Sequence, residues 1–119
     1  ICYDLRFAEL YIELTKRNVD LIMIPSAFTL QTGKDHWATL IKARAIETQS
    51  YIAAPGQWGN FPGPDGGIRK NWGHSMIVDP WGQTIAQVSD GIGWGSTQIN
   101  KSYIEEIRKN MPIKNHRVI

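Results

Sequence analysis

The sequence predicts an α/β fold, on three observations. Short apolar runs, Val19 to Ile24, Tyr51 to Ala54 and His74 to Val78, have the length of buried strands rather than helices. Amphipathic helical patterns separate them. The first of these patterns sits between a strand-like end, Ile1-Cys2-Tyr3, and the run at Val19, the order of a right-handed crossover in a sheet.

Taken in order, Phe7, Leu10, Tyr11 and Leu14 follow the i, i+3, i+4, i+7 rule of a helix. Glu13 with Lys16 and Arg17 supports its exposed side, and Asn18 stops it. Val19 to Ile24, closed by Pro25, reads as a strand buried on both faces. Pro25 to Asp35 reads as a loop at the carboxyl end of that strand, where α/β sheets place ligands. Asp35 is the expected cap of a helix from His36 to about Gln49. Its stripe is Trp37, Leu40, Ile41, Ala45 and Thr48, and Ile46 on the opposite side predicts cover on two sides. Arg44 falls within the stripe. A guanidinium there needs a carboxylate or several carbonyls, and Glu47 is the local candidate.

Tyr51 to Ala54 follows as a strand, then Pro55 to Gly73 as a long surface loop rich in Gly, Pro, Asn and Trp. His74 to Val78 and Thr84 to Val88 are expected to pair as a hairpin around Asp79-Pro80-Trp81-Gly82, which has turn residues in turn order. Gly91 to Ile99 reads as a twisted edge strand. Lys101 to Asn110 reads as a helix with Tyr103, Ile104 and Ile107 inward, and the tail from Met111 is stable only if it docks. Nothing divides residues 1–119 into two domains.

Composition excludes several classes. A net charge of +2 with scattered basic residues gives no nucleic-acid footprint. No apolar run approaches the roughly 20 residues that span a bilayer. One cysteine cannot form an internal disulfide, which predicts a cytoplasmic setting. There is no metal-spaced His/Cys set and no glycine-rich phosphate loop, so neither metal nor cofactor is expected.

Cys2 stands where an apolar stretch turns into a helix-forming one. Such a corner can present a thiol as a nucleophile beside free backbone N–H groups. The bland alternative is a buried, inert cysteine. A nucleophile needs a base and oxyanion donors; the N–H of Tyr3 is one donor, while no base is evident nearby in sequence. His36, His74 and His116 are possible partners in a Cys–His pair, or structural and surface histidines. Arg6 is either a surface ion-pair former or a clamp on a substrate carboxylate. Phe28, Thr29, Thr32, His36 and Trp37 are either loop packing or the wall of a pocket for a small polar ligand.

The run Ile1-Cys2-Tyr3-Asp4-Leu5-Arg6-Phe7-Ala8-Glu9-Leu10 resembles the nucleophile motif of the nitrilase, or carbon–nitrogen hydrolase, superfamily. Pro25 to Thr29, His36-Trp37, Ala43 to Gln49, Gly73 to Gly82 and His116-Arg117 continue the resemblance, most closely to the branch containing deaminated glutathione amidase. The resemblance implies a four-layer αββα sandwich and a homodimer or higher homo-oligomer. It also implies hydrolysis of a small amide, through a Glu-Lys-Cys triad, with no cofactor. Carried over, Cys2 is the nucleophile and forms a thioester, and the Tyr3 N–H serves the oxyanion hole. Arg6, Phe28 and Thr32 hold the carboxylate end of the substrate, and Arg44 with Glu47 forms a buried polar network. Ala8 replaces a proline usual in the family, a small effect at a first helical turn. The family's glutamate and lysine precede the cysteine. The resemblance therefore places them, with half of the sandwich, outside residues 1–119, and predicts that these residues alone are an inactive hydrolase or an interaction module. A 2-oxo acid ω-amidase or a nitrile-hydrolysing relative would use the same corner.

Overall fold

Alternating burial along short strands organises the chain. The computed structural model describes residues 1–118. A 3-10 turn, Cys2–Arg6, leads into helix α1, Ala8–Lys16. Strand β1, Leu21–Met23, follows. A helical segment then begins with α2, Leu30–Thr32, widens into a π-helical stretch, Gly33–Trp37, and continues as α3, Ala38–Thr48. Next come β2, Tyr51–Ala54, β3, Trp58–Pro62, β4, Ile68–Trp72, β5, Met76–Val78, and β6, Thr84–Gln87. Helices α4, Lys101–Asn110, and α5, Ile113–His116, close the described chain.

Four strands form one sheet in the order β1-β2-β5-β6; β1 and β2 are parallel and the other pairs antiparallel. Register explains the core. Ile22, Ile52 and Val78 are successive partners across the sheet, and all are buried beneath α1 and α3 with Leu5, Tyr11, Ile41 and Ala45. The next row, Met23, Ala53, Ile77 and Ala86, points to the other face. That face is an apolar groove with Met23 59% exposed. The expectation that Val19 to Ile24 is buried on both faces is therefore corrected: Leu21 and Met23 are exposed, and the strand is shorter.

Other expectations hold or fail for local reasons. Asn18 ends α1 with φ of 54°, a conformation asparagine tolerates. The Asp79 turn forms as read. Its carboxylate accepts from the N–H groups of Trp81 and Gln83, both at 2.9 Å. Ile1 to Tyr3 is no strand end, because Cys2 already belongs to the 3-10 turn. The second long helix starts at Leu30, after Thr29 in extended conformation, and not at Asp35. Gly33 makes this early start possible. A Cβ there would lie 2.1 Å from the Cβ of Trp72, so only glycine lets β4 pass so close. Gly33→Ala is expected to destabilise the fold by about 1–3 kcal/mol through overpacking, read as a lower melting temperature.

Pro55 to Gly73 is not an open loop, since most of it is the β3–β4 hairpin. Gly91 to Ile99 forms no strand, and the strand read from His74 begins at Met76. Ile46 is only partly covered, by Gly82 of the turn, and stays 44% exposed. Ile104 and Ile107 of α4 are buried as read, and Tyr103 is half-buried. The tail does dock: Gln49 donates to the Met111 carbonyl at 2.7 Å, and Lys114 to the Asn18 side-chain oxygen at 2.7 Å. Ile119, its last residue, lies outside the described residues. Among the described residues no helix is long and apolar enough to cross a membrane.

Candidate functional site

The site begins with backbone strain. Cys2 has φ of 61°, left-handed and uncommon for a residue with a Cβ. The strain sits at the first residue of the 3-10 turn and sets the thiol on a corner, half-buried. Its Sγ lies 3.5 Å from the N–H of Ala27, which points at it as a donor.

The thiol opens on a cleft of about 470 Å³ lined by Ile1, Pro25, Ser26, Ala27, Pro55, Gly56 and Gln57. The sheet places these walls. Beyond β1 and β2 the parallel pairing continues as a bridge between Ser26 and Gly56. Gln57 donates to the Ser26 carbonyl at 2.9 Å, and Gly73 to the Gln57 carbonyl at 2.9 Å. Ser75 braces the back wall, its hydroxyl accepting from the Gly56 N–H at 2.8 Å. A side chain at 56 would strike the Gly73 carbonyl, 2.5 Å from an ideal Cβ. The cleft thus lies at the carboxyl ends of β1 and β2, where ligands bind in α/β sheets.

Arg6 leaves the same turn and is held between two rings. Its guanidinium carbon is 4.6 Å from the centre of Tyr3 and 4.6 Å from that of Phe28. Phe28 is buried and packs on Trp37, with ring centres 4.9 Å apart. Trp37 is fixed by its indole N–H, which donates to the His74 carbonyl at 2.8 Å. Thr32 shares a hydroxyl contact of 3.0 Å with Thr29 at the start of the helical segment. The π-helical stretch runs from Gly33 to Trp37, between Thr32 and α3, and such widenings recur at functional sites. The structure therefore brings Arg6 and Phe28 into contact. Thr32 joins Thr29, next to Phe28 in the chain.

The histidines do not gather at the thiol. None of the three lines the Cys2 cleft. The ring of His74 stacks on Trp72 at 3.9 Å and hydrogen-bonds the Trp72 carbonyl at 2.8 Å. His36 and His116 are exposed. Among the described residues, those lining the cleft include no carboxylate, lysine or imidazole. No group of three or more His, Cys, Asp or Glu among them could hold a metal ion. What sequence reasoning missed are backbone groups, the Ala27 N–H and the Gly56 wall. The one available signal was the small-residue run Ala54-Pro55-Gly56 after a buried strand.

Behind the turn, Arg44 is 6% exposed and paired with Glu47 at 2.9 Å, the partner expected from sequence. Its guanidinium also covers the ring of Tyr11 at 5.0 Å. Burial pushes the Tyr11 phenol up to about 12, against the opposing pull of Arg44. A phenol raised above its unfolded value favours the fold fully below pH 10, and that contribution is lost as pH rises toward 12. Tyr11→Phe should remove this alkaline loss, on the order of 2 kcal/mol, seen by comparing urea melts of both proteins from pH 9 to 12.

The carbon-nitrogen hydrolase family model matches residues 1–109. The nitrilase and fragile histidine triad fusion protein NitFhit of Caenorhabditis elegans is 45% identical over 98% of this chain and 26% of its own length. Its crystal structure superposes with a TM-score of 0.90 over 98% of this chain and 27% of that one. The deaminated glutathione amidase of Synechocystis sp. is 43% identical over 99% of this chain and 42% of its own. The crystal structure of Saccharomyces cerevisiae Nit3, a member of branch 10 of the nitrilase superfamily, gives a TM-score of 0.87 at 30% identity, over 99% of this chain and 42% of that one. The chain thus spans about a quarter to two-fifths of the length of these relatives.

Proposed function

The chain belongs to the carbon–nitrogen hydrolase family, with its fold, and from that premise we propose that it carries the nucleophile corner of an amidase. In this reading Cys2 attacks the carbonyl of a small amide, the carbonyl oxygen is held in part by the Tyr3 N–H, and ammonia leaves. The resulting thioester on Sγ is hydrolysed by water, which frees the acid and restores the thiol. The observation that carries the reading is the strained Cys2 turn, with its sulfur facing a cleft at the carboxyl ends of two parallel strands.

The substrate class follows from Arg6. A guanidinium fixed between Tyr3 and Phe28 presents its remaining N–H groups to a carboxylate, and Phe28 offers an apolar wall. A small amide bearing a carboxylate fits, deaminated glutathione among them, which the name of the Synechocystis relative supports. Thr32, whose hydroxyl contacts that of Thr29, is assigned to the same pocket from the family resemblance alone. Homo-oligomerisation belongs to the reading too: Trp81 and Ile46 offer exposed apolar surface beside Gly82. We assign the cytoplasm on the lone unpaired thiol.

One observation favours a second reading, an interaction module without turnover: the described residues lining the cleft supply no base. Acyl trapping separates the two. The protein translated from its whole reading frame is mixed with a carboxylate-bearing amide, quenched in acid and digested. The expected result is an acyl mass on the Cys2 peptide that hydroxylamine removes. Its absence at every quench time, with no acid product formed, rejects the amidase.

A further inference from the structure

We infer that Arg44 is a positioning residue for the Cys2 turn, acting through the main-chain carbonyl of Leu5; the inference rests on the reading of Cys2 as the nucleophile. Arg44 does not line the cleft. It sits on α3, and its Nε donates to the Leu5 carbonyl at 3.0 Å. Leu5 is fully buried and lies in the same 3-10 turn as Cys2, with Arg6 next in the chain. Such a turn rises about 2 Å per residue and has little slack. A shift of the Leu5 peptide is therefore passed to the thiol at one end and the Arg6 guanidinium at the other.

The rest of the guanidinium is immobilised. Nη1 pairs with Glu47, one turn further along α3, and the planar group covers Tyr11 of α1. One side chain thus ties the turn, α1 and α3 together. The ion pair alone gives no strong reason for the residue, because buried pairs gain little over well-packed apolar groups. The bond to Leu5 does give one. It fixes the rear of a turn whose front contact is the Ala27 N–H against the Cys2 sulfur at 3.5 Å.

The test reads the thiol directly. The rate of Cys2 alkylation by iodoacetamide at pH 7.5 is followed on the Cys2 peptide by mass spectrometry, using the protein translated from its whole reading frame. Arg44→Met removes both bonds, Arg44→Lys keeps one donor near Leu5, and Glu47→Gln removes the ion pair but leaves Nε in place. Melting temperatures are taken for all. We expect alkylation to slow roughly tenfold in Arg44→Met and about threefold in Arg44→Lys, whose ammonium lies one atom beyond the Nε position, with Glu47→Gln at the parent rate. Rates that are unchanged or faster in Arg44→Met overturn the inference, as does a loss shared equally with Glu47→Gln. If Arg44→Met fails to fold, Arg44→Lys against Glu47→Gln carries the comparison: the lysine variant must then be the slower of the two, and equal rates overturn the inference. A parent thiol no more reactive than a cysteine in a short peptide would instead sink the nucleophile reading itself.

Discussion

Replacing Cys2 by alanine is expected to lower kcat for a carboxylate-bearing amide by about 10³-fold or more, with KM changed little. The methyl group of alanine fits the left-handed corner no worse than the thiol, so the turn and the cleft should survive. Equal melting temperatures for the two proteins would establish that. What is lost is the atom that would form the thioester in the proposed reaction. A remaining rate within about tenfold of the parent would mean that water attacks the amide directly and that Cys2 is an ordinary corner residue. Residues 1–119 produced alone make a second comparison. Since the described lining of the cleft holds no base, they should turn over no faster than the Cys2→Ala protein. Clear turnover by that chain, abolished by the same substitution, would show that a base is recruited from within it.

Legibility along the chain depends on how a position makes its energy. Where apolar side chains drive burial the sequence is partly explicit: Tyr11 on α1, Trp37, Ile41 and Ala45 along the second helix, and Ile52 in the sheet are core residues, whereas Phe7 and Leu10 of the expected first-helix stripe are exposed. Polar groups with local partners are also readable, as in the Arg44–Glu47 pair and the Asp79 turn. The β3–β4 hairpin was obscured because its strands mix Gly, Pro and Asn with aromatic residues, and Gly59 and Gly66 adopt positive φ within it. Burial of Leu21 and Met23 was overread because an all-apolar run does not reveal which face a helix layer covers. Within the site, Cys2 and Arg6 are visible as side chains at a motif. The N–H of Ala27 and the wall at Gly56 are main-chain features set by the Ser26–Gly56 bridge, and no residue type announces them.

Arg6→Ala should raise KM for a carboxylate-bearing amide by about 10- to 100-fold, the worth of losing a charge-assisted pair of roughly 1.5–3 kcal/mol. The chemical step should suffer less, with kcat within about threefold, because in the proposed reading Arg6 stands four residues from the sulfur-bearing position and would bind the far end of the substrate. The two-ring grip predicts more than a charge effect. Tyr3 and Phe28 both pack on the guanidinium, each ring centre 4.6 Å from its carbon, which restricts the direction of its N–H groups. Lysine lacks both the plane and the fork, so Arg6→Lys should recover only a small part of the loss. An uncharged amide of similar size is the decisive control. It has no carboxylate to lose, and its KM should be nearly the same for parent and Arg6→Ala. If KM rises equally for the charged and the uncharged amide, Arg6 supports the wall made by Phe28 and Trp37 and does not recognise the substrate's anion. If neither value moves, the carboxylate end is held by other residues, and the substrate class argued from Arg6 falls with it.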